Sequence, residues 1–271
     1  MSIRSTLACC LVLATGPAAA LSINVDSDLK DWLAGAPSGS SATDWTPMAD
    51  PSIKYSVEDQ TGTNSYLNPG WGGQDYDAEA IYVQRSATHI NIAVVTGRAP
   101  GASGYAAGDI AIDFGLDGIF DYGLVTLTDS TGIGSAGELY RVSEWNLGLW
   151  TAPGVTGDAS TTAFGLAHPT SVKTGTKVGD AALSYAEFKY NGVSGLGLGA
   201  YGDAGKHYVI EASIALDLID PTLSSEAFLV HWTMACANDI VEVDPPGNVP
   251  TPVPLLLVLA GLVGLLRRRA K

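Results

Sequence analysis

The stretch GDIAIDFGLDGIFDYG, Gly108–Gly123, alternates apolar and polar side chains before glycines interrupt the pattern. Successive side chains of an extended strand point to opposite faces, so Ile110, Ile112 and Phe114 share one face. The glycines that follow predict a turn. The stretch is therefore typical of two strands joined by a short connection, with one face in a core.

Similar stripes recur along the chain. Ile90, Ile92 and Val94 form one, and another runs over the alternate positions from Tyr208 to Leu216. Period-two stripes indicate strands with one buried and one wet face, and helical patterns are nearly absent. We expect an all-β fold, an antiparallel, jelly-roll-like β-sandwich, with helices confined to the two ends of the chain. The strand-like runs are EAIYVQ, HINIAVVTG, GDIAIDFG, YGLVTLTD, GELYRVS, AALSYAEFKY, HYVIEASIAL and AFLVHWTMAC.

The N-terminus predicts a secretory signal peptide over residues 1–20. Arg4 precedes an apolar stretch, and Ala18 and Ala20 form the small-residue pattern of a cleavage site. Cleavage is expected after Ala20.

The C-terminus combines a proline-rich segment, residues 244–254, with a short apolar run and three arginines. The run Leu255–Leu266 reaches about 18 Å as a helix, whereas the bilayer core is about 30 Å thick. Residues 255–271 are therefore expected to form a short transmembrane helix with an arginine-rich end, which serves as a removable address and not as a permanent anchor.

This tail resembles the PEP-CTERM sorting signal of Gram-negative bacteria that make exopolysaccharide, with Thr251 where that signal usually has glutamate. The resemblance implies processing by signal peptidase and an exosortase-type peptidase, a transient stay in the inner membrane, and delivery to the cell surface or extracellular matrix. The mature C-terminus is expected within residues 249–254. The sorting residues are Val249, Pro250, Thr251, Pro252, Arg267, Arg268 and Arg269.

Composition narrows the function of residues 21–243, the expected folded domain. The two removable segments carry five of the 14 basic residues and none of the 28 acidic ones, so the net charge falls from −14 to −19. Nucleic-acid binding requires the opposite sign and is excluded. Strong acidity suits solubility and divalent cations.

A second resemblance covers most of the domain. INVDSDLKDWLAG (Ile23–Gly35) and HYVIEASIALDLI (His207–Ile219) resemble the opening and closing strands of family-nine-type carbohydrate-binding modules, with Ala215 where proline is usual. GGQDYDAEAIYV, the Gly108–Gly123 stretch, HPTSVKTGT and HWTMACAND resemble exported PEP-CTERM proteins of unassigned activity. The resemblance implies a sandwich and supports that fold more than it supports any ligand, and exopolysaccharide or another glycan is the ligand class expected of such a module.

The stretch NPGWGGQDYDAEAIY, Asn68–Tyr82, places aromatic rings beside carboxylates and an amide on a glycine-rich loop. Sugars are often held by a ring against the sugar face and by acids on the hydroxyls. The alternative is that the tryptophans cap the ends of the core. The glycan-binding candidates are Trp71, Gln74, Tyr76, Asp77, Glu79, Trp145 and Glu211.

Four aspartates recur at every fourth position in the opening stretch: Asp109, Asp113, Asp117 and Asp121. Calcium prefers several oxygen ligands in a flexible cage, so the spacing suggests a Ca²⁺ site. The alternative is that these aspartates bond their own backbone in a turn.

Catalytic motifs are weak. Glu79 and Glu211 suggest glycoside hydrolysis only if their separation suits it. GIGSAG, Gly132–Gly137, lacks the helix that a dinucleotide site requires. The four histidines are scattered, so zinc is not expected, and Cys236 is expected to be a small buried hydrophobe.

The sequence therefore predicts an exported, non-catalytic glycan-binding protein with no cofactor besides calcium. A structural or adhesive matrix protein without a small ligand is the alternative, and a glycoside hydrolase is a third.

Overall fold

The computed structural model describes residues 22–37, 45–57, 74–128, 132–148, 168–194, 206–237 and 239–244. Within these ranges the regular structure consists of strands and short 3-10 turns, and no helix there is long and apolar enough to cross a membrane. The expected signal and C-terminal helices lie outside the described residues. The strands are β1 Ile53–Val57, β2 Ala78–Arg85, β3 His89–Thr96, β4 Ile110–Phe114, β5 Tyr122–Leu124, β6 Glu138–Leu147, β7 Pro169–Asp180, β8 Ala182–Glu187, β9 Lys189–Tyr190, β10 Val193–Ser194, β11 Tyr208–Ala215, β12 Phe228–Thr233 and β13 Ile240–Val243.

The all-β prediction is confirmed. One sheet has five strands in the order β1-β2-β3-β11-β8, and the other has six in the order β13-β12-β4-β5-β6-β7. Every pair of neighbouring strands is antiparallel. Strands β9 and β10 form a separate small hairpin.

The predicted stripes meet in one core between the two sheets. Ile92 and Ile210 from the five-stranded sheet share a cluster with Ile112, Phe228 and Trp232 from the six-stranded sheet, all fully buried. Burying an aliphatic or aromatic side chain of this size contributes about 1.5–3 kcal/mol, so this core is the main source of stability. Cys236 lies in the same core, as expected.

The expectation of a wet outer face is wrong for the five-stranded sheet. Its outer side chains, among them Tyr82 and Val209, are buried beneath Leu29, Trp32 and Trp45 of the N-terminal segment. Alternation identifies the core face of a strand, but it does not reveal that a distant segment supplies a third layer. We call the residues 22–37 and 45–52 that provide this layer the N-terminal cover.

Strand β7 has no apolar alternation and was not predicted. It pairs with β6 over most of its length, with several register shifts, and most of its side chains after Val172 are at least partly exposed. Its buried beginning contacts the six-stranded sheet near β4, where the Thr170 carbonyl accepts a hydrogen bond from the Asp109 N–H at 2.8 Å. This contact brings residues around the start of β7 close to β4 and β12.

Candidate functional site

The described glycan-binding candidates do not form one site. Trp71 lies outside the described residues, and Gln74 begins a 3-10 turn that ends at Tyr76. The half-buried ring of Tyr76 packs against the main core. The guanidinium carbon of Arg98 lies 4.7 Å from the centre of that ring, so this aromatic already has a cationic partner.

Glu211 lies on the face of β11 opposite the apolar stripe of alternate positions from Tyr208, but the N-terminal cover buries it completely. One carboxylate oxygen accepts a hydrogen bond from Trp32 Nε1 at 2.7 Å. The other accepts from the backbone N–H groups of Ser27 at 2.8 Å and Asp26 at 2.9 Å. In this fold Glu211 holds the cover on the sheet and does not face a solvent-borne ligand.

Asp77 and Glu79 are also fully buried. The Oε1 atom of Glu79 lies 2.8 Å from Nε2 of His207, whose ring packs at a tilt against Trp45. The two carboxylates suggested for glycoside hydrolysis, Glu79 and Glu211, are therefore both enclosed, each against a partner of its own.

Trp145 lies on the opposite side of the molecule, on the outer face of the six-stranded sheet. Its indole N–H donates to the Phe120 carbonyl at 3.0 Å, and its ring packs over Gly123 beside Val172. A Cβ at residue 123 would lie 2.7 Å from the indole. This placement agrees with the alternative that the tryptophan covers a core, here a small satellite cluster.

Burial raises the pKa of Glu211 to about 7, although its three N–H donors favour the ionised form. Because the pKa in the folded state exceeds the unfolded value of 4.5, the contribution to stability is fully present below pH 4.5 and is lost as the pH rises through 7. We expect the stability of the wild type, relative to Glu211→Gln, to fall by about 3 kcal/mol over this interval. Urea unfolding of both proteins at several pH values measures the difference.

The matched control for this titration is Glu226→Gln, which removes an exposed carboxylate from a surface turn. We expect this surface substitution to change the free energy of unfolding by less than about 0.5 kcal/mol. Parallel profiles for wild type and Glu211→Gln would contradict the prediction, because they would mean that the pKa of Glu211 is the same in the folded and unfolded states.

Asp109, the first member of the predicted calcium ladder, is buried and holds two strands. Its Oδ1 accepts from the Thr126 N–H at 3.1 Å and its Oδ2 from the Val172 N–H at 2.9 Å. These bonds fasten the beginning of β7 and the segment after β5 to the start of β4.

The remaining ladder residues gather at the β4–β5 connection. Asp113 accepts from the Gly118 N–H at 2.9 Å, Asp117 from the Ile119 N–H at 2.9 Å, and Asp121 from the Phe114 N–H at 2.9 Å. Burial raises the pKa of Asp121, and the charges of Asp113 and Asp117 add to the rise. The pattern is that of turn-forming aspartates, the alternative considered above, and calcium binding stays a prediction.

A pocket of about 370 Å³ opens at one end of the molecule, between the β3–β4 loop and the segment that follows β5. Small residues of the loop, Ala99–Gly104, line it together with Tyr105, which is 47 % exposed. Arg98 supports the loop through hydrogen bonds to the Ser103 carbonyl at 2.6 Å and the Ala102 carbonyl at 3.3 Å. The sequence signal was present as APGASGYAAG, a run of small residues with one aromatic.

Two of the scattered histidines meet on the outer face of the six-stranded sheet. His168 precedes β7 and His231 lies on β12, and their rings are stacked with centres 5.6 Å apart. Burial and the neighbouring His231 lower the pKa of His168 to about 4, so its ring is neutral at pH 7. The contact between the two histidines depends on where β7 lies in the fold, so no local sequence motif predicts it.

The sorting residues and the cleavage site after Ala20 lie outside the described residues. Comparison with protein-family models, curated proteins and solved structures found no match to this chain.

Proposed function

We propose that this chain is an exported, non-catalytic β-sandwich protein of the cell surface or extracellular matrix of a Gram-negative bacterium, and that it binds glycan. The signal peptide and the PEP-CTERM-like tail support export and sorting. The observation that carries glycan binding is the pocket beside Tyr105, where an exposed ring stands next to loop backbone and hydroxyl groups. Rings that remain accessible suit the apolar face of a sugar.

The charge of the protein indicates which glycans suit it. A net charge of −14, or −19 after processing, repels uronic acids and other anionic sugars. The residues that line the pocket carry no charge. A neutral polysaccharide is therefore the ligand class that this surface favours, with a pocket near the lower limit of ligand-site volumes.

Replacing Tyr105 by alanine is expected to weaken binding to neutral polysaccharides about tenfold, because the substitution removes the exposed ring. Calorimetric titration of the wild type and the variant measures the loss. Tyr55→Ala is the matched control, since Tyr55 is 46 % exposed on β1 and does not line the pocket. Equal binding by the wild type and Tyr105→Ala would show that the glycan site does not include Tyr105.

A structural or adhesive matrix role is the second candidate. It is favoured by the burial of Asp77, Glu79 and Glu211, which removes the described carboxylates expected to grip sugar hydroxyls. This role predicts no binding of the wild type to any polysaccharide in the same titration. The two candidates are thus separated by one experiment.

A further inference from the structure

The outer face of the six-stranded sheet brings together three side chains with metal-ligand chemistry. One ligand atom from each of His168, His231 and Glu242 lies within 4.8 Å of the other two, and among the described residues no other three such side chains come this close. The residues come from three places in the chain: the position before β7, the middle of β12, and β13. Strand register places His231 directly opposite Glu242.

The buried nitrogen of His231 supplies an independent reason to look for a ligand here. His231 is fully buried, and within the described part of the chain its Nε2 has no hydrogen-bond partner. Its other nitrogen, Nδ1, lies 2.8 Å from Oε1 of Glu242. Buried polar atoms are nearly always satisfied, because leaving one without a partner costs about 1–3 kcal/mol in folding.

We propose that His168, His231 and Glu242 bind a divalent first-row transition metal ion, with Zn²⁺ as the ion that fits best. Imidazole nitrogens combined with one carboxylate suit zinc, whereas calcium prefers an all-oxygen set. Three protein ligands leave one position of a tetrahedral ion for water or an external donor.

Binding one ion requires the site to rearrange, because Nδ1 of His231 faces Glu242 whereas the atom without a partner is Nε2. Ligand atoms around a tetrahedral zinc ion lie about 3.3 Å apart, so the separations between the three ligand atoms must shorten by at most about 1.5 Å. The side chain of Glu242 is 40 % exposed and has room to rotate. The imidazoles of His168 and His231 are stacked, with 7° between their planes. Because each lone pair lies in the plane of its own ring, one imidazole must rotate before both can reach the same ion, and Phe120 packs 5.4 Å from His231 beside them.

Metal binding at this position would fasten the beginning of β7 to the β12–β13 edge. At present the His168 carbonyl accepts a hydrogen bond from the Gly148 N–H at 3.0 Å, which ties it to the segment after β6. A bound ion stabilises the folded state in proportion to its occupancy, so the melting temperature should rise with zinc concentration.

The test uses the untagged full-length chain, purified and stripped with EDTA. Titration calorimetry is expected to show one Zn²⁺ per chain with a Kd of about 10 μM or tighter, and Co²⁺ is expected to give the visible absorption of a four-coordinate ion. Glu242→Ala and His168→Ala should each weaken zinc binding at least about tenfold and remove the cobalt spectrum. His89→Gln removes an imidazole from β3 and should leave both signals unchanged.

Three outcomes would overturn the assignment. One is the absence of stoichiometric zinc binding and of the cobalt spectrum in the wild type. Another is zinc binding that persists undiminished in both Glu242→Ala and His168→Ala. The third is a melting temperature that responds to Ca²⁺ but not to Zn²⁺, which would direct attention to the aspartates of the β4–β5 connection. Because Glu242 is half-exposed, its variant is expected to fold even if a change at His231 is not tolerated.

Discussion

Trp32→Ala is expected to lower the free energy of unfolding by about 4 kcal/mol, in the range measured for large aromatic side chains in cores. The indole is fully buried against the outer face of the five-stranded sheet, with its ring centre 5.9 Å from that of Tyr82. The substitution also removes the donor to Glu211, which leaves a buried carboxylate oxygen without its side-chain partner. Denaturant unfolding followed by circular dichroism measures the change.

Trp32→Phe separates the two contributions. It keeps most of the ring volume but deletes the N–H group, so a smaller loss of about 1–2 kcal/mol is expected. A Trp32→Ala protein as stable as the wild type would mean that the N-terminal cover does not contribute to the folded state. Equal losses in both variants would assign the whole effect to the hydrogen bond.

Gly108→Ala is expected to destabilise the protein by about 3 kcal/mol, near the upper end for overpacking. A Cβ on residue 108 would lie 2.1 Å from the Thr233 carbonyl oxygen and 2.6 Å from that of Thr170. Both obstacles are backbone atoms, so relief requires β7 and the end of β12 to move. Such movement would break the hydrogen bond from the Gly108 N–H to the Thr233 carbonyl at 3.0 Å.

The matched control is Gly35→Ala, in the N-terminal cover. A Cβ there would meet nothing within 4 Å, so the stability should change by less than about 0.5 kcal/mol. Thermal melts of both variants against the wild type decide the matter. A Gly108→Ala melt that coincides with the Gly35→Ala melt would show that the strands give way at little cost.

The sandwich core was predictable because its strands alternate. The alternating pattern predicts that the side chains of Ile110, Ile112 and Phe114 share one face, and the structure places that face in the core. Strand β7 was not predictable by the same reasoning, since its lysines, threonines and glycines pair with β6 in a partly exposed ribbon. Its register comes from a tertiary partner and not from its own pattern.

The sequence identifies which residue types could form a site, but it does not show what surrounds each residue in the fold. The sequence places Glu211 opposite the apolar stripe of β11, and this is correct. It does not indicate that Trp32, 179 positions away, covers that side. The pairing of His168 with His231 depends in the same way on where β7 begins. When long-range packing brings the residues of a site together, those residues have no characteristic spacing in the sequence by which the site could be recognised.

The N-terminal cover also constrains the order in which the parts of the domain can fold. The Ser27 N–H reaches Glu211 across 184 positions, so a growing chain has no acceptor for this layer until β11 exists. Contacts this distant form slowly compared with local hairpins. The first residues of the domain in the sequence are therefore among the last to fold. The chain stays partly unfolded for longer as a result, and an unfolded chain is what the proposed passage across a membrane requires.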